Sequence, residues 1–295
     1  MVVFPIKHTT NLGNWLFQYA AALSYGEPVA AWPEYEGALP KFSRYPELLG
    51  EVAIVDPVPE SAVHYTQPSF AFSPLPAKTS EHLMIWGYYQ SEKFFRDPAS
   101  IRARFRVGEA RRKHLLEKYG DWLARPGVTG ISVRRGDYMR LPHCHPFVGT
   151  RYFRDCLARL PDVEDFIVCS DDIPWCKRFF PRAFPDRRFL FVENEDVLNQ
   201  LYVHTLCRNN IISNSSFSWW GAWLNEHPDK RVLAPSHWFG FALYRDPQAW
   251  RDIYFQGVEV VANRYTAGQV LRACWNVAYW KVRRSLGNLK RKVVG

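Results

Sequence analysis

Short apolar runs alternate with amphipathic segments through the second half of the chain. Strand-like runs occur at Gly130–Val133, Phe166–Cys169, Phe189–Val192, Ile211–Ser213 and Val232–Ala234. Helical periodicity fills the gaps, over Tyr152–Leu160, Trp175–Phe180, Val197–Cys207 and Trp219–Asn225. This alternation predicts an α/β fold whose parallel sheet is covered on both faces. The first half is less regular. Val2–Ile6 reads as a strand, Trp15–Tyr25 as a helix, and Leu83–Trp86 as a second strand. Pro28–Pro76 is rich in Pro, Tyr and Gly and reads as loops with short strands such as Val52–Val55. Helices are expected over Pro98–Phe105 and Glu109–Leu123, and Ala124–Gly127 reads as a linker.

Ligands of open parallel sheets bind beyond the carboxyl ends of the strands, and four polar clusters fall at such ends. Gly130–Val133 runs into Arg134-Arg135-Gly136-Asp137-Tyr138. Side chains alternate faces along a strand, so only one of the two arginines readily serves a ligand; the other is free to pair with a carboxylate such as Asp137. A guanidinium fork matches phosphate oxygens, and a salt bridge at a strand end suits the segment equally well. Ile211–Ser213 gives way to Asn214-Ser215-Ser216-Phe217 and then an aromatic helix; a helix start of this kind attracts anions, while its Trp residues suit a core. Cys169-Ser170-Asp171-Asp172-Ile173-Pro174 pairs two carboxylates. A divalent ion is one reading, but Asp172 two residues before Pro174 suits a helix N-cap, leaving Asp171 for a base or ribose. Asn11-Leu12-Gly13-Asn14 follows the first strand as a glycine turn that lets backbone approach a ligand.

Charge changes the picture only once it is located. The 295 residues carry a net charge of +9, which suggests nucleic acid. Of the 38 Lys and Arg, eight lie beyond Val260, where there is no Asp or Glu, leaving 30 basic against 29 acidic residues in the body. A nearly neutral body excludes the basic cleft that nucleic-acid binding requires. Helical indexing places Leu271, Cys274, Trp275, Ala278, Val282, Leu286 and Leu289 on one face, with Arg272, Arg283, Arg284, Lys290 and Arg291 on the other. Residues 265–295 therefore read either as a helix for an anionic membrane surface or as one packed across the body. The six cysteines have no metal-type spacing and read as buried thiols. The chain start lacks a signal-peptide pattern and no apolar run reaches membrane-spanning length, so a cytoplasmic protein is expected.

Taken in order, the segments Leu12–Ala20, Gly87-Tyr-Tyr-Gln-Ser-Glu-Lys-Phe-Phe95, Val133–Tyr138, Ser170-Asp-Asp172 and Ser213–Asn225 resemble the bacterial-type alpha-1,2-fucosyltransferases of glycosyltransferase family 11. The resemblance spans roughly residues 2 to 240. It implies a GT-B architecture of two Rossmann-like domains facing a cleft, GDP-fucose as donor, inversion at the anomeric carbon, a saccharide acceptor, and no metal or other cofactor. It divides the chain into an acceptor-side domain (1–124), a GDP-sugar domain (125–262) and the basic tail (263–295). Carried over by position, Arg134 meets the donor diphosphate, with Arg135 as its neighbour; Ser215, Ser216 and Phe217 line the diphosphate site, Asp171 the nucleoside, and Gly13 and Asn14 the cleft from the other side. Two departures fall in the cleft. The family has His where this chain has Ser132, and Gly-Gly-Leu-Gly-Asn-Gln where it has Thr10–Trp15. They point to another GDP-sugar or linkage as the alternative, and an inactive saccharide-binding module on the same fold is a second. Asp137 is the nearest candidate base, with His143 and His145 behind it.

Overall fold

A computed structural model describes residues 1–7, 10–241, 243, 246–263, 267–271, 274, 275, 278 and 279. In chain order the elements are β1 (Val2–Ile6), α1 (Leu12–Leu23), β2 (Val29–Pro33), α2 (Ala38–Phe42), α3 (Pro46–Leu49), β3 (Ala53–Ile54), β4 (Val63–Thr66) and β5 (Leu83–Trp86). Then follow α4 (Pro98–Arg104), α5 (Glu109–Leu123), β6 (Thr129–Val133), α6 (Thr150–Ala158), β7 (Asp165–Ser170), α7 (Ile173–Ala183), β8 (Arg188–Phe191) and α8 (Val197–Leu206). β9 (Asn209–Ile211), α9 (Ser216–Trp223), β10 (Val232–Pro235) and β11 (Val258–Val261) complete the set.

The strands form two sheets, ordered β3-β2-β1-β5-β4 and β11-β10-β9-β6-β7-β8, and every recorded pairing in both is parallel. β1 and β6 sit centrally and are buried at every position, because a parallel strand covered by helices has no solvent face. Counted within itself, the second sheet runs 3-2-1-4-5-6, the doubly wound order, with its reversal between β6 and β9. The first sheet reverses between β1 and β5. The α/β, two-sheet GT-B expectation therefore holds, and the topology marks where a ligand should sit.

One hydrophobic core joins the two halves. Its centre is the crossing of α1 with α9, where the Phe17 ring lies 4.5 Å from Trp219 and 4.8 Å from Trp220. Each indole N–H on α9 finds an acceptor: Trp219 donates to Ile253 O, Trp220 to Gly13 O and Trp223 to the Glu92 carboxylate. These partners matter because a buried, unsatisfied N–H would cost about 1–3 kcal/mol. Two cations close the C-terminal end of α9. The Arg102 guanidinium stacks 3.8 Å from the Trp223 ring and donates to Trp223 O, and Lys230 Nζ donates to Ala222 O. Arg111 ties Glu47 beside the first sheet to Asp196 before α8.

Two details differ from expectation. The Leu12-Gly13-Asn14 segment is the first turn of α1 rather than a loop turn. The reason is packing: a Cβ on Gly13 would lie 2.6 Å from the Phe217 backbone N. β2 is a short strand inside the Pro-rich stretch that reads as loops with short strands but not as a strand at this position, and its register with β1 is what holds it. Four cysteines, Cys156, Cys169, Cys176 and Cys207, are buried free thiols; Cys144 is half-buried and Cys274 exposed.

Candidate active site

A cavity of about 800 Å³ opens at the reversal points of both sheets. From the first sheet come Asn11–Asn14 after β1 and Tyr88 and Gln90 after β5. From the second come Ser132–Arg134, Asp137 and Tyr138 at and beyond the end of β6, Ser170 and Asp171 at the end of β7, and Asn214–Phe217 after β9. The two walls touch within each pair of neighbouring strands. Gln90 Nε2 donates to Asn14 Oδ1 at 2.6 Å. Ser213 Oγ accepts from Arg134 N at 3.0 Å and donates to Ser132 O at 2.7 Å, stitching β6 to the end of β9.

Two helix starts meet at this cavity. Neither Asn11, at the start of α1, nor Ser215, at the start of α9, caps its helix with its side chain. Asn14 N donates to Asn11 O, which leaves the N–H groups of Leu12, Gly13, Ser216 and Phe217 and the positive dipole ends of both helices available to an anion. The Gly13 contact with Phe217 N sets the two starts edge to edge. At the other end of α9, Arg102 and Lys230 sit on its last carbonyls, which satisfies that end without blunting the start.

Arg134 projects into the cavity and Arg135 does not. The Arg134 guanidinium contacts Asp137 (2.8 Å) and Asp171 (3.0 Å), and lies 5.5 Å from the Tyr138 ring. Arg135 turns to the opposite side, pairs with Asp172 at 3.0 Å, and stacks 4.0 Å from the Trp175 ring. The pairing expected between Asp137 and the second arginine is therefore corrected: Asp137 serves Arg134, and Asp172 serves Arg135. As a donor-binding candidate, Arg135 contributes only its backbone N–H, which donates to Asp171 Oδ1 at 2.8 Å. Asp172 also caps α7, accepting from Trp175 N, as its spacing from Pro174 predicts. Gly136 is small for a local reason, since a Cβ there would meet Asp171 Oδ2 at 2.6 Å. Among the described residues, no group of three or more His, Cys, Asp or Glu is arranged to hold a metal ion.

The family model of glycosyl transferase family 11 matches residues 62–240, more than half of the chain. The chain belongs to glycosyl transferase family 11. Two curated relatives from Escherichia coli match over shorter stretches. The O-antigen biosynthesis glycosyltransferase WbnK is 36% identical over 121 residues, covering 38% of this chain and 39% of the relative. An alpha-1,2-colitosyltransferase is 33% identical over 120 residues, 38% of this chain and 41% of the relative. The matched stretches thus span about two-fifths of each relative's length. Among solved structures, NodZ alpha-1,6-fucosyltransferase soaked with GDP-fucose aligns at a TM-score of 0.46 and 14% identity, covering 75% of this chain and 92% of that one.

The family 11 match takes in β4 through β10 and reaches Gly240, so Arg134, Asp137, Asp171 and Ser215–Phe217 lie inside it, whereas Gly13 and Asn14 lie outside it. All eight of the sequence-selected candidates other than Arg135 line one cavity: Gly13, Asn14, Arg134, Asp137, Asp171, Ser215, Ser216 and Phe217. His145 lines it too, stacked on Tyr138 with ring centroids 4.8 Å apart, and burial lowers its pKa below the ordinary imidazole value. His143 is buried and is not part of the lining. Tyr138, Gln90 and Asn214 were not selected from the sequence. Tyr138 Oη donates to Asn214 O at 2.9 Å, which locks the loop after β6 to the loop after β9. Their signal was present as the Tyr after Arg-Gly-Asp, the Gly-Tyr-Tyr-Gln segment and the Asn before Ser-Ser, but polar type alone does not separate them from loop residues.

No helix among the described residues is long and apolar enough to cross a membrane.

Proposed function

We propose that this family 11 glycosyltransferase moves L-fucose from GDP-fucose to a saccharide hydroxyl, forming an alpha-1,2 linkage on galactose during surface glycan synthesis. The observation that supports this most is the meeting of Arg134 with two uncapped helix starts at the reversal points of both sheets. Residues 1–124 then serve as the acceptor side and residues 125–262 as the donor side. The relative named for O-antigen biosynthesis supports a surface-glycan acceptor.

Cleavage of the bond from sugar to diphosphate builds negative charge on the leaving oxygen and positive character on the sugar ring. Fixed cations and aligned N–H dipoles near that oxygen lower the barrier without a metal. Arg134 and the N–H groups of Ser216 and Phe217 on one helix start and of Leu12 and Gly13 on the other are positioned to do this. A diphosphate seated there competes with Asp137 and Asp171 for the Arg134 guanidinium. Asp137, displaced from its partner, becomes the base that takes the acceptor proton, and attack from the opposite face of the sugar inverts the anomeric centre. Asp171, freed in the same exchange, is in reach of the nucleoside. Tyr45, Tyr88 and Phe70 offer apolar faces for the acceptor on the opposite wall, and Phe239 from the donor side packs on Phe70 at 4.6 Å.

Arg134→Ala is expected to lose on the order of 100- to 1000-fold in kcat with its thermal unfolding midpoint retained. Near wild-type turnover by the purified variant removes Arg134 from the reaction. A second reading has a specific basis: the relative that is 33% identical is a colitosyltransferase. Colitose lacks the 3-hydroxyl of fucose, so GDP release measured with GDP-fucose against its 3-deoxy counterpart decides which sugar the site takes.

A further inference from the structure

Beyond the cleft, the unexplained feature is the helix after β11. The described residues 267–271, 274, 275, 278 and 279 are helical. Gln269 is buried and its Nε2 donates to Phe147 O at 2.9 Å. Phe147 belongs to the loop between β6 and α6, which also carries His145 into the cavity. The start of the helix is thus fastened beside the mouth of the cleft. Farther along, Leu271 is 72% exposed, Trp275 66% and Tyr279 44%. These three stand at i, i+4 and i+8, one line along a helix, and the Trp275 and Tyr279 rings stack at 5.5 Å. Among the described residues, this face does not pack on the body.

Charge identifies the occupant. Eight Lys and Arg and no Asp or Glu lie between Val260 and Gly295. Val282, Leu286, Leu289 and the basic residues Arg272, Arg283, Arg284, Lys290 and Arg291 lie outside the described residues. A second copy of the chain would bring a like-charged tail against this face and is disfavoured. An anionic lipid surface satisfies both halves of the pattern, since headgroups take the cations while Leu and Trp enter the boundary with the acyl chains.

We infer that the helix from residue 267 docks this enzyme on an anionic lipid surface, with Leu271 and Trp275 inserted and the cleft mouth held next to the bilayer. Presentation of the cleft to a lipid-linked saccharide rests on the proposed transfer reaction; lipid binding does not, so the two fail separately.

The test is co-sedimentation of the full chain with phosphatidylcholine vesicles, with and without phosphatidylglycerol, alongside the double variant Leu271→Asp/Trp275→Asp and the charge variant Arg283→Glu/Arg284→Glu. Binding is expected only with phosphatidylglycerol, reduced by added salt, and weakened at least about tenfold by each double variant. The thermal unfolding midpoint should be unchanged in both variants, which shows that they fold, and transfer to a soluble acceptor should be unchanged as well. Equal binding to neutral vesicles, or binding untouched by the Leu271/Trp275 variant, overturns the inference. So does a dimer seen by light scattering without lipid that this variant dissolves while vesicle binding is absent.

Discussion

Asp137→Asn separates the two things a carboxylate beside Arg134 can do. In the structure Asp137 Oδ1 lies 2.8 Å from the Arg134 guanidinium, with the two side chains 54% and 35% exposed. A pair this open to water is worth at most about 1 kcal/mol. If the donor diphosphate must displace Asp137, neutralising it removes a competitor of that strength, and GDP binds up to about fivefold more tightly. Loss of the acceptor's base costs about 100- to 10,000-fold in kcat. The expected signature is therefore opposed changes: a lower Kd for GDP by calorimetry and a collapsed kcat for transfer. The acidic limb of the wild-type pH–rate profile should vanish with it. A carboxylate that merely organised Arg134 would give the reverse, weaker GDP binding with the acidic limb intact, and that result refutes the exchange.

Three further outcomes follow from contacts in the structure. Gly13→Ala forces a Cβ to 2.6 Å from the Phe217 backbone N, which cannot swing aside as a side-chain tip could. Separating α1 from α9 should cost about 1–3 kcal/mol and weaken GDP at least about tenfold, a change of about 1.4 kcal/mol; an unaltered unfolding midpoint and Kd would show that the contact is not needed. Arg135→Ala should lower stability through loss of the Asp172 and Trp175 contacts while leaving the KM for donor within about threefold, and a large rise in KM would place Arg135 in the donor site after all. His204 supplies a pH test: it is buried with no partner at Nε2, and burial pushes its imidazole down to about 4 from the ordinary 6.5. Between those values the unfolded chain binds a proton that the folded chain refuses. Stability is then full above about 6.5 and falls as pH drops toward 4, by up to about 3 kcal/mol. Urea midpoints for His204→Gln should show a flatter acid dependence, and a slope equal to wild type would assign acid sensitivity elsewhere.

What could be read from the residues was whatever a single strand end carries. β6 is a buried five-residue run, so the polar Arg-Arg-Gly-Asp that ends it stands out, as do the serines where β9 yields to α9 and the capping aspartate before α7. What could not be read depends on neighbours that chain order does not supply. The choice between Arg134 and Arg135 is made by Asp171 and Asp172 arriving from β7, and Gln90 reaches Asn14 only because β5 lies next to β1. Gly13 reads as a turn residue on local grounds, yet its smallness is required by a helix that starts about two hundred residues later. β2 was hidden because its apolar run is short and bracketed by prolines, and pairing with β1 outweighs that local preference. The tail's charge was legible, but whether its apolar face was covered required the exposures of Leu271 and Trp275.

The most direct test is mass spectrometry of the products formed when the purified chain is given GDP-fucose and an array of galactose-terminated glycans, with GDP release followed in parallel. The account predicts glycans heavier by one deoxyhexose, in an alpha-1,2 linkage, with GDP released in equal amount and the signal lost in Arg134→Ala. GDP that binds in the cleft with neither product nor donor hydrolysis, from GDP-fucose or its 3-deoxy counterpart, would contradict it and leave a saccharide-binding module built on a glycosyltransferase fold.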